Sequence, residues 1–390
     1  MRTSSDGRWR ALDGRPLHAA LVALLEHYNA LLADGLTGRF GVLADPTFQL
    51  NLLLWMQQQL PTAGSPTSPK SVLRDAGYAV HAVGAKLVCS GELEEKLAVD
   101  LELRGAPQPD MLASAPGGTA WPVWECKASG FGTNSSTTRQ ALKILARSRD
   151  VALVAGAQPG REILGAAIWL TRADDANALN ETLDDLAAQL AEDDVAAATS
   201  GVVGIDLDVA GVTAQAIAGD VPEPLQSVLA QPIVVLPRAD DSEQNPRPLY
   251  FIPFDPGVQQ EPEEVKRCLD ILLDRARMEA ASVIGLTATP ATIVLQGHEL
   301  LSAATIGMSA RWQDHGDRQK AAAKIVSLLE HELSMVSDRP LMRSGEGAMP
   351  HLDIKVHNDD QRDALVEAIV AAAPSSITEL PPAQPKLFDE

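Results

Sequence analysis

A short apolar run at residues 121–127 carries two charged side chains near its end, and it constrains the fold of this 390-residue chain more than any other segment. The run reads Trp-Pro-Val-Trp-Glu-Cys-Lys and follows a turn-forming Pro-Gly-Gly at 116–118. These features are typical of a buried β-strand. Because residues i and i+2 of a strand share a face, Glu125 and Lys127 are expected to project together, with Cys126 on the other side.

Helix-like and strand-like patterns alternate along the chain, which predicts an α/β protein. Helices are predicted at residues 16–33, 46–60, 71–76, 137–149, 178–191, 263–281, 321–333 and 359–372. Strands are predicted at 78–89, 111–114, 121–127, 151–155, 165–171, 202–209, 232–236, 249–254 and 352–356, while 91–104 fits either a helix or a strand.

Composition and breaks in the pattern divide the chain into four predicted parts. A helical region at 1–65 ends in the loop 61–69, which is rich in Pro, Ser, Thr and Gly. A core that contains both helices and strands is predicted at 66–195. A second α/β domain is predicted at 200–373, where the pattern restarts, and a flexible tail at 374–390.

Charge is distributed unevenly between these parts. Residues 1–150 carry 15 basic and 14 acidic side chains, a net charge of +1, and the remainder carry 17 and 38, a net charge of −21. The first part is therefore compatible with a polyanion such as DNA. The acidity of the second part predicts either a protein partner, for recognition or assembly, or a role in solubility alone.

Several classes of protein are disfavoured by the sequence. The three cysteines form no CxxC pair, the N-terminus lacks an apolar signal segment, and no apolar run is long enough to span a bilayer. We therefore expect a cytoplasmic protein without a membrane partner. The chain has no Walker A loop and no GxSxG elbow, and its two His-Glu pairs lack the second histidine of a zincin motif.

A third charged residue, Asp110, precedes Glu125 with fourteen residues between them. Carboxylates suit a hard divalent cation, which stabilises charge on a phosphate and lowers the pKa of a bound water. A nearby lysine then assists the nucleophile or the developing negative charge. If a neighbouring strand brings Asp110 alongside Glu125 and Lys127, the three residues form a metal site suited to phosphodiester hydrolysis.

The motifs Pro109-Asp110 and Glu125-Cys126-Lys127 resemble those of the PD-(D/E)xK, or restriction-endonuclease-like, nuclease superfamily. The resemblance covers about a third of the chain. It implies a restriction-endonuclease-like core, in which helices flank a central mixed sheet. The order of elements in this core, a helix, a run of strands, a helix and a further strand, is matched to 71–171. It also implies catalytic roles for Asp110, Glu125, Lys127 and Gln140, and a Mg²⁺ or Mn²⁺ ion held by Asp110, Glu125 and Cys126.

Other interpretations of these motifs remain open. Short triplets with a similar pattern lie at 94–96, 264–266 and 353–355, and the last of them, Asp353-Ile354-Lys355, follows Asp338 at a comparable spacing. A purely structural role is the other alternative, with Asp110 in a turn and Glu125 paired with Lys127. The family often has one more upstream acid, for which this sequence offers four candidates: Glu92, Glu95, Asp100 and Glu102.

The predicted helix after the motif carries Arg139, Lys143 and Arg147 at spacing i, i+4 and i+8. This spacing predicts a basic stripe that binds DNA phosphates, or else an ordinary solvated helix face. At the other end of the chain, residues 384–388, Gln-Pro-Lys-Leu-Phe, are similar to peptides that bind the bacterial sliding clamp.

Together these features predict a Mg²⁺-dependent DNA endonuclease of a restriction, anti-phage defence or repair system. The alternative is a non-catalytic subunit that keeps a nuclease-like fold and binds DNA or a protein partner. The sequence leaves open whether the nucleic acid is double-stranded, single-stranded or RNA.

Overall fold

A computed structural model describes residues 2–3, 9–10, 43–57, 71–131, 136–151, 164–208, 211–237, 262–334, 342–344 and 350–371. The predicted helix at 16–33, the loop at 61–69, the strand at 249–254 and nearly all of the strand at 151–155 lie outside these residues. The tail at 374–390, with the clamp-like segment 384–388, also lies outside them.

The elements alternate between strands and helices along most of the chain. The strands are β1 (Arg2–Thr3), β2 (Trp9–Arg10), β3 (Ala79–Val83), β4 (Met111–Ser114), β5 (Ala120–Cys126), β6 (Leu164–Arg172), β7 (Thr199–Asp208), β8 (Gly211–Gly219), β9 (Ile233–Pro237), β10 (Ala291–Gln296), β11 (Met342–Ser344) and β12 (His351–Val356). The helices are α1 (Pro46–Gln57), α2 (Val72–Asp75), α3 (Gly91–Val99), α4 (Ser136–Ser148), α5 (Ala176–Glu192), α6 (Glu223–Leu229), α7 (Pro262–Leu286), α8 (Gly297–Ala304), α9 (His315–Ser334) and α10 (Asp359–Ala371).

The central feature is a seven-stranded mixed sheet with the strand order β3-β4-β5-β6-β7-β8-β9. Neighbouring strands are antiparallel at both ends of the sheet, whereas β5, β6 and β7 are parallel to one another. Parallel neighbours require long crossover connections, and α4 and α5 lie in the connections between these three strands. The predicted α/β class, with a mixed sheet flanked by helices, is confirmed.

Every residue of the strand β5 is buried, and its two faces belong to two different hydrophobic cores. Trp124 and Cys126 belong to one hydrophobic core, and Trp121 and Val123 belong to the other. The second core contains buried side chains of α3, α4 and α5, and the first contains those of α1 and of the C-terminal helices. The apolar run that predicted a strand is therefore explained by helices on both sides.

The ambiguous segment 91–104 forms the helix α3 over most of its length. The Ser90 side chain caps this helix by accepting a hydrogen bond from the Leu93 N–H at 3.4 Å. The preceding strand is shorter than predicted and ends at Val83, because Gly84 follows it with a φ of +63°. This conformation suits glycine and turns the chain out of the sheet.

The predicted domain boundary near residue 200 falls inside the sheet. The strands β7, β8 and β9 continue the order begun by β3, with Thr199 paired to Ala166 of β6. The strand β8, read as Gly-Val-Thr-Ala-Gln-Ala-Ile-Ala-Gly, was not predicted, because its small residues carry little strand propensity. It forms a strand because β7 and β9 supply backbone partners on both sides.

The helices α7 to α10 and the antiparallel sheet β10-β12-β11 form a C-terminal unit. Its apolar side chains join the same core as α1 and one face of the large sheet. The unit also contacts the edge strand β3, where Trp312 forms a bridge with Val83 and the Gln313 N–H donates to the Val83 carbonyl at 3.1 Å. No helix in the described ranges combines the length and apolar character needed to cross a bilayer.

Candidate active site

The pairing of β4 with β5 brings Asp110 next to Glu125. Met111 pairs with Trp124 and Leu112 with Val123 in an antiparallel register. Asp110 directly precedes β4, so continuing this register by one residue sets it opposite Glu125, with both side chains on one face. The Gly84 N–H donates to the Asp110 carbonyl at 2.9 Å, which holds the Asp110 backbone in place.

The Asp110 carboxylate is held by the end of the neighbouring strand. Its Oδ2 accepts a hydrogen bond from the backbone N–H of Cys126 at 2.6 Å. A short bond from a backbone amide to a carboxylate is strong because the acceptor is charged. The arrangement fixes the direction in which Asp110 faces Glu125.

The two carboxylate oxygens of Glu125 have different surroundings. Oε1 accepts hydrogen bonds from Lys127 Nζ at 2.7 Å and from Gln140 Nε2 at 2.8 Å. Oε2 is buried and has no hydrogen-bond partner among the described residues. The residue is only 4% exposed, so solvent does not satisfy Oε2 freely. Glu125 thus has one oxygen with two side-chain donors and one buried oxygen without a well-formed hydrogen bond, although the backbone of Asp110 is close enough to the carboxylate to lower its pKa.

Burial dominates the electrostatics of this carboxylate pair. Burial raises the pKa of Asp110 above its ordinary value. Burial also raises the pKa of Glu125, and the nearby charge of Asp110 raises it further, whereas Lys127 acts in the opposite direction. Two ionised carboxylates beside one ammonium leave a net negative charge in a buried site, which favours uptake of a proton or a cation.

Uptake of a proton by Glu125 makes the stability of the metal-free protein depend on pH. The pKa of Glu125 is raised from 4.5 to about 8 in the folded protein, so the folded state binds the proton more tightly than the unfolded state. The resulting stability is present below pH 4.5 and is lost as the pH rises through about 8. In EDTA, we expect the free energy of unfolding of the wild type to fall by about 1.4 kcal/mol per pH unit in this window, relative to Glu125→Gln. Urea denaturation of both proteins at several pH values measures this difference, and parallel pH profiles would contradict it.

The structure places the side chain of Cys126, predicted as a metal ligand, mainly in the core. Its side chain is 3% exposed and packs in the core on the face opposite Glu125. Burial raises the pKa of its thiol well above the ordinary range, and the two nearby carboxylates add to this effect. The sulfur is therefore a protonated group, and both the backbone N–H and the thiol of Cys126 contact the Asp110 carboxylate.

The predicted basic stripe on α4 is not a single surface. Arg139 is exposed and Lys143 is half-buried, but Arg147 is 0% exposed. Arg147 instead donates to both carboxylate oxygens of Glu94, from Nη2 at 2.7 Å and from Nε at 3.0 Å. Eight helical residues rotate about 80° beyond two full turns. Arg147 therefore lies on a different side of the helix from Arg139 and is buried in the core. Its position excludes it from a DNA-binding surface.

The structure provides no third carboxylate from the upstream candidates. Glu92, Glu95, Asp100 and Glu102 are all exposed. Within the ranges that the structure describes, no group of three or more His, Cys, Asp or Glu side chains is arranged to hold a metal ion. The described site therefore offers two carboxylates, from Asp110 and Glu125.

The competing triplets lie in different surroundings. Glu94 and Lys96 are on α3, where Glu94 pairs with Arg147 and Lys96 pairs with Asp194 at 3.4 Å. The triplet at 264–266 lies in α7, where residues two apart do not share a face. Asp353 is half-buried and Lys355 is exposed on β12, and Asp338 lies outside the described residues.

A cavity of about 350 Å³ opens beside Asp110. One wall comes from α1, the end of β3 and the segment before β4, and the other comes from the C-terminal unit. The lining residues are Leu50, Val83, Gly84, Gln108, Pro109, Asp110, Trp312, Asp314 and Asp317. The contribution of the C-terminal unit to this site is not predictable from the sequence, because no motif links residues 312–317 to residue 110.

The site therefore combines two carboxylates, a lysine and a glutamine at the end of one buried strand. Carboxylate oxygens are the ligands that hard divalent cations prefer, and an ammonium group stabilises negative charge on a reacting oxygen. Comparisons of the chain with family models, curated proteins and solved structures found no significant match.

Proposed function

We propose that this chain is a metal-dependent nuclease that hydrolyses phosphodiester bonds in DNA. The observation that supports this most directly is the geometry around Glu125: Asp110 and Lys127 lie beside it, and its Oε2 is buried without a partner among the described residues. The order β3, β4, β5, α4, β6 agrees with the run of strands, helix and further strand implied by the resemblance to PD-(D/E)xK nucleases, with α3 inserted between β3 and β4.

The residues present fit a divalent cation such as Mg²⁺ or Mn²⁺. A buried carboxylate oxygen without a hydrogen bond costs free energy, and a cation would supply its missing partner. Asp110 and Glu125 would hold the ion through oxygen atoms. Bound there, the ion would stabilise charge on the phosphate and lower the pKa of a water molecule.

The chain's own residues orient and complement this site. Lys127 and Gln140 both donate to Glu125 Oε1, which fixes the carboxylate and leaves Oε2 free for a ligand. In hydrolysis, the water oxygen forms a bond to phosphorus, one P–O ester bond breaks, and the leaving oxygen takes up a proton. Negative charge grows on the phosphoryl oxygens, and the Lys127 ammonium is close enough to the site to stabilise it.

Two basic residues on α4 support an interaction with the DNA backbone. Arg139 is exposed, Lys143 is half-buried, and both lie on the helix that carries Gln140. Phosphate contacts of this kind position a nucleic acid without selecting its sequence. We further propose a cytoplasmic enzyme of restriction, anti-phage defence or repair, with protein partners that bind the acidic C-terminal part. A sliding clamp that binds residues 384–388 is one such partner.

A second candidate is a non-catalytic subunit that binds DNA or a partner. The observation in its favour is that Lys127 and Glu125 already form an ion pair at 2.7 Å, which satisfies both groups in part without a substrate. In addition, no group of three or more His, Cys, Asp or Glu side chains among the described residues is arranged to hold a metal ion. An ion pair of this kind is compatible with a purely structural role.

A plasmid-nicking assay distinguishes these two candidates. Purified protein is incubated with supercoiled DNA and with a labelled single strand, in Mg²⁺, in Mn²⁺ or in EDTA, and Asp110→Asn serves as the inactive control. The nuclease proposal expects cleavage that requires the metal and is lost in the control. A protein that binds these DNAs in a shift assay but never cuts them under any of the conditions favours the non-catalytic subunit.

A further inference from the structure

Lys127 lies one residue beyond the end of β5 and needs support from outside the strand. The strand ends at Cys126, so the backbone carbonyl of Lys127 is not held by the regular ladder. Long side chains have many rotamers, and the direction of Cα–Cβ limits where their ends can reach. The position of Nζ beside Glu125 therefore depends on how the Lys127 backbone is fixed.

The Lys127 backbone is held on both sides. Its N–H donates to the Leu170 carbonyl at 2.8 Å. Its carbonyl accepts two side-chain hydrogen bonds, one from Gln49 Nε2 at 2.9 Å and one from Thr171 Oγ1 at 3.0 Å. The peptide planes before and after the Lys127 Cα are thus both fixed, which restricts φ and ψ at this residue.

The two side-chain donors are completely buried. Gln49 and Thr171 are each 0% exposed. Gln49 belongs to α1, where its Nε2 also donates to the Leu43 carbonyl at 2.7 Å, while Thr171 belongs to β6. Burial of polar side chains costs free energy unless they form hydrogen bonds. Apolar side chains would fill the same space without this cost, so the hydrogen bonds of Gln49 and Thr171 indicate a role beyond packing.

We propose that Gln49 and Thr171 are positioning residues that hold the Lys127 backbone and so fix its ammonium beside Glu125. The inference rests on the proposed nuclease function for its catalytic consequence. It also assigns α1, which belongs to the N-terminal helical region predicted at 1–65, to the support of the active site. The effect on catalysis passes through Lys127, since neither side chain contacts Glu125 or Asp110 in the described bonds.

The matched pair Gln49→Met and Gln57→Met tests this role. Both glutamines lie on α1 and are buried, but Gln57 donates to the Met111 sulfur at 3.5 Å rather than to the Lys127 carbonyl. For Gln49→Met we expect kcat to fall by about ten- to a hundredfold with KM little changed, because the misplaced group acts in the transition state. Gln57→Met is expected to keep kcat close to that of the wild type. Equal losses of kcat in the two variants would overturn the inference.

Thr171 provides a conservative rescue. Thr171→Val removes the hydroxyl and keeps the shape, whereas Thr171→Ser keeps the hydroxyl and removes a methyl group. We expect Thr171→Val to lower kcat and Thr171→Ser to restore most of it. If Thr171→Ser loses as much kcat as Thr171→Val, packing rather than the hydrogen bond to Lys127 is responsible, and the positioning role of Thr171 is rejected.

A measurement that does not depend on activity separates this inference from the nuclease proposal. Reductive ¹³C-methylation labels the lysines, and Lys127→Arg identifies the NMR signal of Lys127. A held ammonium gives a displaced signal in the wild type and in Gln57→Met, and a signal close to that of free lysine in Gln49→Met. An unchanged Lys127 signal in Gln49→Met would overturn the inference even if the wild type cleaves DNA. If the wild type does not cleave but the signal changes as expected, the nuclease proposal fails while the positioning role stands.

Discussion

Replacement of Lys127 by alanine is expected to reduce phosphodiester cleavage by about 10²–10³-fold while the protein remains folded. The ammonium lies 2.7 Å from Glu125 Oε1, at the place where a reacting phosphate would gain negative charge. Folding is expected to persist because Glu125, whose pKa is already raised by burial, can take up a proton when its partner is lost. Single-turnover cleavage rates measure the first effect, and circular dichroism with thermal denaturation measures the second.

A matched control for this variant comes from the competing triplet on β12. Lys355 is exposed, and Lys355→Ala removes the same charge from the protein without touching the proposed site. We expect this variant to cleave at the wild-type rate. Normal cleavage by Lys127→Ala together with a large loss of cleavage in Lys355→Ala would assign the active site to the C-terminal sheet instead.

Replacement of Glu94 by alanine is expected to destabilise the protein by about 3–5 kcal/mol, because it leaves a buried guanidinium without its carboxylate partner. Arg147 has a side-chain exposure of 0%, whereas Glu94 is 35% exposed. Removal of the carboxylate therefore leaves a charge that water cannot reach. Removal of the arginine leaves a carboxylate that water can hydrate, so Arg147→Met is expected to cost less than Glu94→Ala. Urea denaturation measures the free energy of unfolding of each variant.

The control for this prediction lies on the same helix. Lys96 pairs with Asp194, whose side chain is fully exposed, at 3.4 Å, and exposed pairs of this kind contribute about 0–1 kcal/mol. Lys96→Ala should therefore have little effect on stability. If Arg147→Met proved as stable as the wild type but bound DNA more weakly, with a smaller dependence on salt, Arg147 would belong to the DNA-binding surface after all.

Residues 121–127 show which structural features a local sequence pattern can predict. The apolar run and the i, i+2 spacing predicted a buried strand with Glu125 and Lys127 on one face. The structure contains this strand as β5 and joins Lys127 to Glu125 by a hydrogen bond. The prediction succeeded because side-chain alternation along a strand depends only on the backbone of that strand. The proximity of Gln140 to Glu125 was implied only by the family resemblance, and in the structure Gln140 Nε2 donates to Glu125 Oε1 at 2.8 Å.

The basic residues of α4 show where local reasoning fails. Spacing of i, i+4 and i+8 placed Arg139, Lys143 and Arg147 on one stripe, but the helix packs on the sheet with Arg147 inside. Which side of the helix is buried depends on α3, whose Glu94 receives the guanidinium. In the sequence, Glu94 is notable only as part of the alternative triplet at 94–96. The partner lies 53 residues away in the sequence, so no local spacing reveals the pair.

By itself, the sequence determined the α/β class, the strand β5, the helix that follows it, and the shared face of two charged side chains, since each of these depends on neighbours along one segment. The tertiary structure alone decided that β7 to β9 extend the central sheet and that the C-terminal unit lines the cavity beside Asp110. It also decided that Gln49 of α1 holds the carbonyl of Lys127, 78 residues away. The physical reason is the same in each case: strand pairing, burial and side-chain hydrogen bonds join segments that are distant in the chain, and only the folded protein brings their partners together.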